Sequence, residues 1–289
     1  MRIASLVPSG TEIVQALGLD DCLVGVTYGC RAPGRPVLVH PRRDKSGWTQ
    51  AQIDAAGAAE SSSGSSPFVV DEELLQELRP DLVLTQDTCA VCALPGEEGC
   101  RVAPAAADVV VLDAHTLEDM LATVQQVADA AGRSLAGRTL VERLRERVLA
   151  VRERTRNLPV PRVVCLEWMD PPWSAGHWVP ELVALAGGQE VMGVAGMPSR
   201  RLGWAEVRAS SPQCTVLMPC SLGQERTLHD AEHLDLIGLG AVWAAAGGNL
   251  FAKASPGLVD GLETLAALLH PEGASQPRYP ARQLLPAAR

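Results

Sequence analysis

Large aromatic side chains are scarce: the 289 residues hold 2 Phe and 2 Tyr against 6 Trp. Aliphatic residues must therefore fill the interior, and the tryptophans become informative wherever they cluster. Positive charge is also short. The formal net charge of -9 at pH 7 argues against nucleic acid as a partner, because phosphate binding needs a basic face. No apolar run approaches the roughly 18 residues needed to cross a bilayer, so no membrane segment is expected. MRIASLVPSGTE carries one Arg and a short apolar run that turns polar by Ser9, and it reads as a first strand rather than a signal peptide. A cytoplasmic location is the expectation. Several catalytic signatures are missing as well: no Gly-x-Gly-x-x-Gly after a strand, no phosphate-cradling Gly-Lys-Ser/Thr loop, no Gly-x-Ser-x-Gly elbow and no His-Glu-x-x-His helix.

What is present is a globular balance, 47% hydrophobic and 20% charged, in a chain long enough for two lobes. RIASLV and CLVGVT read as strands, with a helix between them capped by Ser9 or Thr11 and ended by Gly18. SSSGSS at 61 to 66 reads as a loop, DEELLQEL as a helix with Asp71 at its N-cap, and DLVLT and DVVVLD as further strands. From Thr116 to about Arg156 the spacing is helical throughout, either one long helix or two in series weakened near Gly132 and Gly137. RVVCLEWM, TVLMPC and AVWAAAG then read as strands, with helices at PELVALAGG, WAEVRASSP, 224 to 240 and LVDGLETLAALLHP. The expected fold is α/β: two Rossmann-like lobes with parallel sheets joined by a long helix, and a ligand cleft between the lobes. The expected division is an N-terminal lobe at 1–115, a connecting helix at 116–158 and a C-terminal lobe at 159–289.

Ligands of open parallel sheets sit outside the carboxyl ends of the strands. Those ends carry Pro8 and Ser9, Tyr28 and Cys30, Gln86 with Cys89 and Cys92, Glu167 and Trp168, and Cys220. Four thiolates from Cys30, Cys89, Cys92 and Cys220 suit zinc or an iron–sulfur cluster, and such a centre would make the chain a metal protein or a redox or lyase-type enzyme. A thiol oxidoreductase using only Cys89 and Cys92 is a weaker alternative, and ordinary buried thiols a third. Cys22, Cys165 and Cys214 read as interior residues; Cys100, in the loop EEGC, has no assigned place. EWMDPPWSAGHW reads as an irregular loop presenting Glu167, Trp168, Trp173, His177 and Trp178. Broad indole faces with a few polar groups suit a large planar ligand. Arg200 and Arg201 suit carboxylate or phosphate groups and a solvated face equally; His229 and His233, at i, i+4 spacing, read as a solvated helix face.

RIASLVPSGTEIVQALGLDDCLVGVT, LRPDLVLTQ and FAKASPGLVDGLETLAALLHP resemble the substrate-binding proteins of ABC transporters of the cobalamin and iron-siderophore type. The resemblance runs over most of the chain and implies two α/β lobes bridged by a long helix, ligand held between them, and little hinge motion. TQDTCAVC, LEWMDPPWSAGHWVPELV and LMPC resemble a leaderless, cobalamin-binding-like subgroup. The absent leader argues against a membrane permease as partner. The expected ligand is cobalamin or a related corrinoid, or another large metal-bearing cofactor, met by Pro8, Ser9, Tyr28, Gln86, Glu167, Trp168, Trp173, His177 and Trp178.

Overall fold

The structure, a computed structural model, describes residues 1–62, 66–88, 94–246, 250–272 and 277–286. They divide into two units: Met1–Ala114 with Glu118–Arg143, and His115–Leu117 with Leu144–Arg289.

The N-terminal unit begins with β1 (Ile3–Ser5), α1 (Pro8–Ala16), β2 (Leu23–Thr27) and β3 (Val37–Pro41). It continues through α2 (Gln50–Ser62), β4 (Phe68–Val70), α3 (Glu72–Leu78), β5 (Leu82–Gln86), α4 (Gly96–Val102) and β6 (Asp108–Leu112). The six strands lie in the order β4-β3-β2-β1-β5-β6, all parallel to their neighbours except β4. A parallel sheet covered on both faces needs strands that are apolar on both sides; Leu82 to Thr85 of β5 are accordingly all buried. Leu6, Leu38, Leu75 and Val83 form the centre of its interior, and each such side chain contributes about 1.5–3 kcal/mol by leaving water.

Local chemistry sets the helix ends. Val7, not Ser9 or Thr11, holds the N-cap position of α1, with no side-chain cap. Pro8 starts the helix because its fixed φ and missing N–H suit a first turn, so Ser9 and Thr11 lie inside it and are buried. Gly10 lets α1 sit against the sheet: a Cβ there would come within 2.8 Å of Ser5 Oγ and 3.1 Å of Leu84. In α3, Leu74 N–H donates to Asp71 Oδ1 at 3.0 Å, the cap expected from sequence.

The stretch 116–158 holds two helices, α5 (Leu117–Ala130) and α6 (Ser134–Thr155), and the division between units falls inside α6. Gly132, at φ 67°, makes the break. Gly137 has another purpose: a Cβ there would lie 2.5 Å from Ala128 Cβ, so glycine permits close packing of α6 on α5.

The C-terminal unit contains β7 (Arg162–Met169), β8 (Pro172–Ser174), α7 (Val179–Leu185), β9 (Gln189–Glu190), α8 (Trp204–Ala209), β10 (Cys214–Leu217), α9 (Gln224–Ala231), β11 (Ala241–Ala244), α10 (Gly257–Leu269) and β12 (Arg282–Leu285). Its sheet order is β12-β11-β10-β7-β8, with β9 also on β7. Strands β7, β10 and β11 are parallel; β8 and β12 are antiparallel edges. Its interior includes Val164, Leu166, Leu217 and Val242. Arg147 of α6 clamps α10, reaching Glu263 at 3.0 and 2.8 Å and Asp260.

Candidate functional site

The stretch EWMDPPWSAGHW is not irregular throughout: its first part is the β7–β8 hairpin. Asp170 and Pro171 make the turn, Pro172 opens β8 opposite Met169, and Trp168 pairs directly across from Trp173. Side chains directly opposite in an antiparallel pair share a face, so the two half-buried indoles stand together. The register slips between Leu166 and Trp168, which leaves Glu167 as the extra residue of a bulge. Such bulges re-aim a side chain. The Glu167 backbone carbonyl accepts from Cys220 N–H at 2.8 Å, fixing the end of β7 against the residues that follow β10.

Beyond β8 the chain turns into α7 through Ala175, Gly176 and His177. Gly176 sits under the loop at 197–199, where a Cβ would come 2.4 Å from Ser199 N. His177 takes the left-handed φ of 50°, which side-chain-bearing residues seldom adopt. Two backbone bonds hold it there: His177 N–H to Met197 O at 2.7 Å and Gly196 N–H to His177 O at 2.8 Å. Its Nδ1 lies 3.1 Å from Nδ1 of His115, with ring centroids 5.2 Å apart. Burial, and then the His115 imidazole, hold His177 below its ordinary pKa, which keeps the ring neutral at physiological pH. Glu181 of α7 accepts from Leu117 N–H at 2.9 Å. These two contacts explain why residues 115–117 belong with the C-terminal unit. His115 escaped the sequence reading because nothing in AHTLED marks it; its partner is 62 residues away.

Trp178 is buried at 5% exposure, and its Nε1 donates to Phe251 O at 2.7 Å. The indole therefore packs within its own unit. Glu190, also unnoticed in the sequence, is a side chain standing in for a strand. Its Oε2 accepts from Cys165 N–H at 2.9 Å and its Oε1 from Met192 and Gly193 N–H at 2.9 and 3.1 Å. Burial raises its pKa against the pull of those donors.

In the N-terminal unit the expected residues again lie at strand ends. Ser9 Oγ is 3.5 Å from Gln86 Oε1, and Pro8 opens α1. Tyr28, 36% exposed, tilts against Phe68 at 5.7 Å. Cys30 Sγ donates to Thr11 Oγ1 at 3.3 Å.

Cys89 and Cys92 lie outside the described residues. Cys30 belongs to the N-terminal unit and Cys220 to the C-terminal one; among the described residues no group of three or more His, Cys, Asp or Glu is placed to hold a metal ion. Cys165 and Cys214 are buried; burial pushes Cys214 up to about 12. Such thiols are inert. Cys100 is exposed on α4, a helix where the sequence suggested a loop. Arg200 pairs with Glu206 at 2.8 Å on the surface. His229 and His233 are exposed, with rings 5.9 Å apart, and α9 ends before His233.

The sequence profile of the periplasmic binding protein family matches residues 3–235. The chain belongs to this family. Solved structures carry the same fold. The family's vitamin B12-binding protein from Vibrio cholerae aligns with a TM-score of 0.68 at 19% identity, covering 93% of this chain and 96% of its own. A periplasmic heme-binding protein from Pseudomonas aeruginosa gives 0.73 at 17% identity, with 99% of each chain covered. The heme-binding protein of Roseiflexus sp. RS-1 gives 0.68 at 20%, covering 93% and 98%. No match is found among curated proteins. No helix among the described residues is long and apolar enough to cross a membrane.

Proposed function

We propose that this chain binds a large, flat, metal-bearing cofactor of the tetrapyrrole class, a corrinoid or a heme. The observation that carries the reading is the Trp168–Trp173 pair at the hairpin end of β7, with Glu167, the extra residue of the bulge, next to it in the strand. A broad conjugated ring system needs large apolar faces to cover it and few polar groups to orient it, and this hairpin offers both. Ser9, Tyr28 and Gln86 stand at strand ends of the N-terminal unit and are candidates on the same footing. Support from the family comes from relatives of the same fold, whose names record vitamin B12 and heme as their ligands. A corrinoid is the first choice, because TQDTCAVC, LEWMDPPWSAGHWVPELV and LMPC resemble a cobalamin-binding-like subgroup.

The test is a thermal melt of the purified chain with hydroxocobalamin, hemin or neither. Ligand at 100 times its Kd adds about 2.7 kcal/mol of stability, which in a chain of this size is a rise of several degrees. No shift with either compound, at concentrations up to their solubility, would count against the proposal.

A further inference from the structure

Arg200 and Arg201 are equivalent in the sequence, and the sheet separates them. Residues 200–202 run antiparallel along the outer edge of β8. Ser174 N–H donates to Arg200 O at 2.9 Å and Leu202 N–H to Pro172 O at 2.8 Å, and Arg201 is the direct partner of Trp173. Those two bonds flank the Trp173–Arg201 pair, which makes it a narrow pair, the kind whose opposed side chains stand closest. Trp173 is in turn the partner of Trp168 across the hairpin. Side chains on successive strands at one level of a sheet share a face, so Trp168, Trp173 and Arg201 stand in a row. The adjacent positions Met169, Pro172 and Leu202 are buried, Met169 and Leu202 in the interior of the unit. The row therefore looks away from that interior, with its indoles half-buried and Arg201 exposed. Arg200 alternates to the other side of its strand, and its guanidinium is taken by Glu206 at 2.8 Å.

Resting on the proposed function, we infer that Arg201 is a specificity-determining residue: it selects a ligand that carries an anionic group on the rim of its flat ring system. Neighbouring strands lie ~4.8 Å apart, so the row is ~10 Å from Trp168 to Arg201. A macrocycle lying on the two indoles brings its peripheral substituents to the Arg201 end. The guanidinium offers a planar fork of N–H donors that matches the paired oxygens of a carboxylate or a phosphate. Indoles and a bound ring beside it exclude water, which strengthens the pairing above that of an open surface. The chain has a formal net charge of -9 and repels anions at long range, so a cation on the binding face is what admits an acidic ligand. Two sources of such a group fit a tetrapyrrole: the carboxylate side chains of a heme, and the phosphodiester in the nucleotide loop of a cobalamin.

The test measures the affinity of the full chain for two matched pairs. One is hemin against hemin dimethyl ester, whose carboxylates are capped; the other is hydroxocobalamin against aquacobinamide, which lacks the nucleotide loop. The wild type is expected to bind the anion-bearing member of one pair ~10-fold more tightly than its counterpart. Arg201→Gln should bind both members of that pair equally, and Arg201→Lys, which keeps the charge without the fork, should recover part of the preference. A preference within the heme pair identifies a carboxylate, and one within the cobalamin pair a phosphodiester. If Arg201→Gln keeps the wild-type preference, or weakens both members alike, the inference falls while the proposed function stands. Equal wild-type affinities within both pairs refute the inference in the same way, with no variant needed. If the wild type binds none of the four compounds, the proposed function falls and takes the inference with it. Should Arg201→Gln fail to fold, Arg201→Lys reads the same difference: an undiminished preference in it refutes the fork.

Discussion

Replacing Glu190 by Gln preserves the shape of the side chain while removing its capacity to accept at both oxygens. The edge of β7 is covered by β9 up to Val163 and by β8 from Leu166 onward. Cys165 falls in the gap. Its carbonyl accepts from Ala175 N–H at 2.8 Å, and its N–H donates to Glu190 Oε2 at 2.9 Å. Gln can serve Cys165 only by turning its NH2 toward the Met192 and Gly193 donors, so one or two donors must face another donor. A hydrogen bond to a charged group contributes about 1.5–3 kcal/mol, and no cavity is created, so the expected loss at pH 7 is about 2 kcal/mol. In a chain of this size that corresponds to roughly 4–8 °C in Tm. Urea denaturation followed by circular dichroism measures the loss, and amide hydrogen exchange at Cys165 localises it. The pH dependence gives a second readout. Burial holds the Glu190 carboxyl above its ordinary value, so the folded state keeps a proton that the unfolded state has released. Stability therefore falls as pH rises from the ordinary carboxylate value up through the raised folded one, and the Gln variant lacks that slope. A loss under ~0.5 kcal/mol, with Cys165 exchange unchanged, would refute the idea that this side chain completes the strand edge.

Other outcomes follow from single contacts. Asp71→Ala removes the cap on Leu74 N–H and should cost about 1 kcal/mol by urea denaturation. Trp178→Phe leaves the Phe251 carbonyl without its donor and should cost about 1–3 kcal/mol, with a fluorescence change that reports the buried indole. His177, held below its ordinary pKa, should make the free protein lose stability as pH falls through the ordinary histidine range, because the unfolded state binds the proton first. In His177→Asn that acid-side loss should flatten, as seen in melts between pH ~7 and ~5.

The parts of the fold set by repetition were readable in the chain. Runs such as LVLT and TVLM, apolar on both faces, can be little other than central parallel strands. The Asp71 cap and the break at Gly132 have mechanisms a short window reveals. Where distant partners decide, the reading failed. Ser9 and Thr11 look like caps, but Pro8 pre-empts them. Residues 50–62 of α2 carry too weak an apolar stripe to announce a helix. EWMDPPWSAGHW reads as a loop because two prolines suggest irregularity, whereas Pro171 lies in the turn of a hairpin and Pro172 opens its second strand. The site behaved in the same way. Trp168, Trp173 and Glu167 were visible as an unusual cluster in one segment. His115 and Glu190 were invisible, since their meaning comes from His177 and Cys165, residues far along the chain or across a strand edge. Trp178 looked equivalent to its neighbours until its N–H was seen to be spent on Phe251.

The most direct measurement is a titration of the purified chain with hydroxocobalamin and with hemin, followed by tryptophan fluorescence in the wild type and in a Trp168→Phe, Trp173→Phe double variant. A tetrapyrrole stacked at the hairpin should quench the wild type in a saturable, one-to-one curve and lose most of that quenching in the variant. Emission that declines identically and without saturation in both proteins would mean that the paired indoles meet no such ligand.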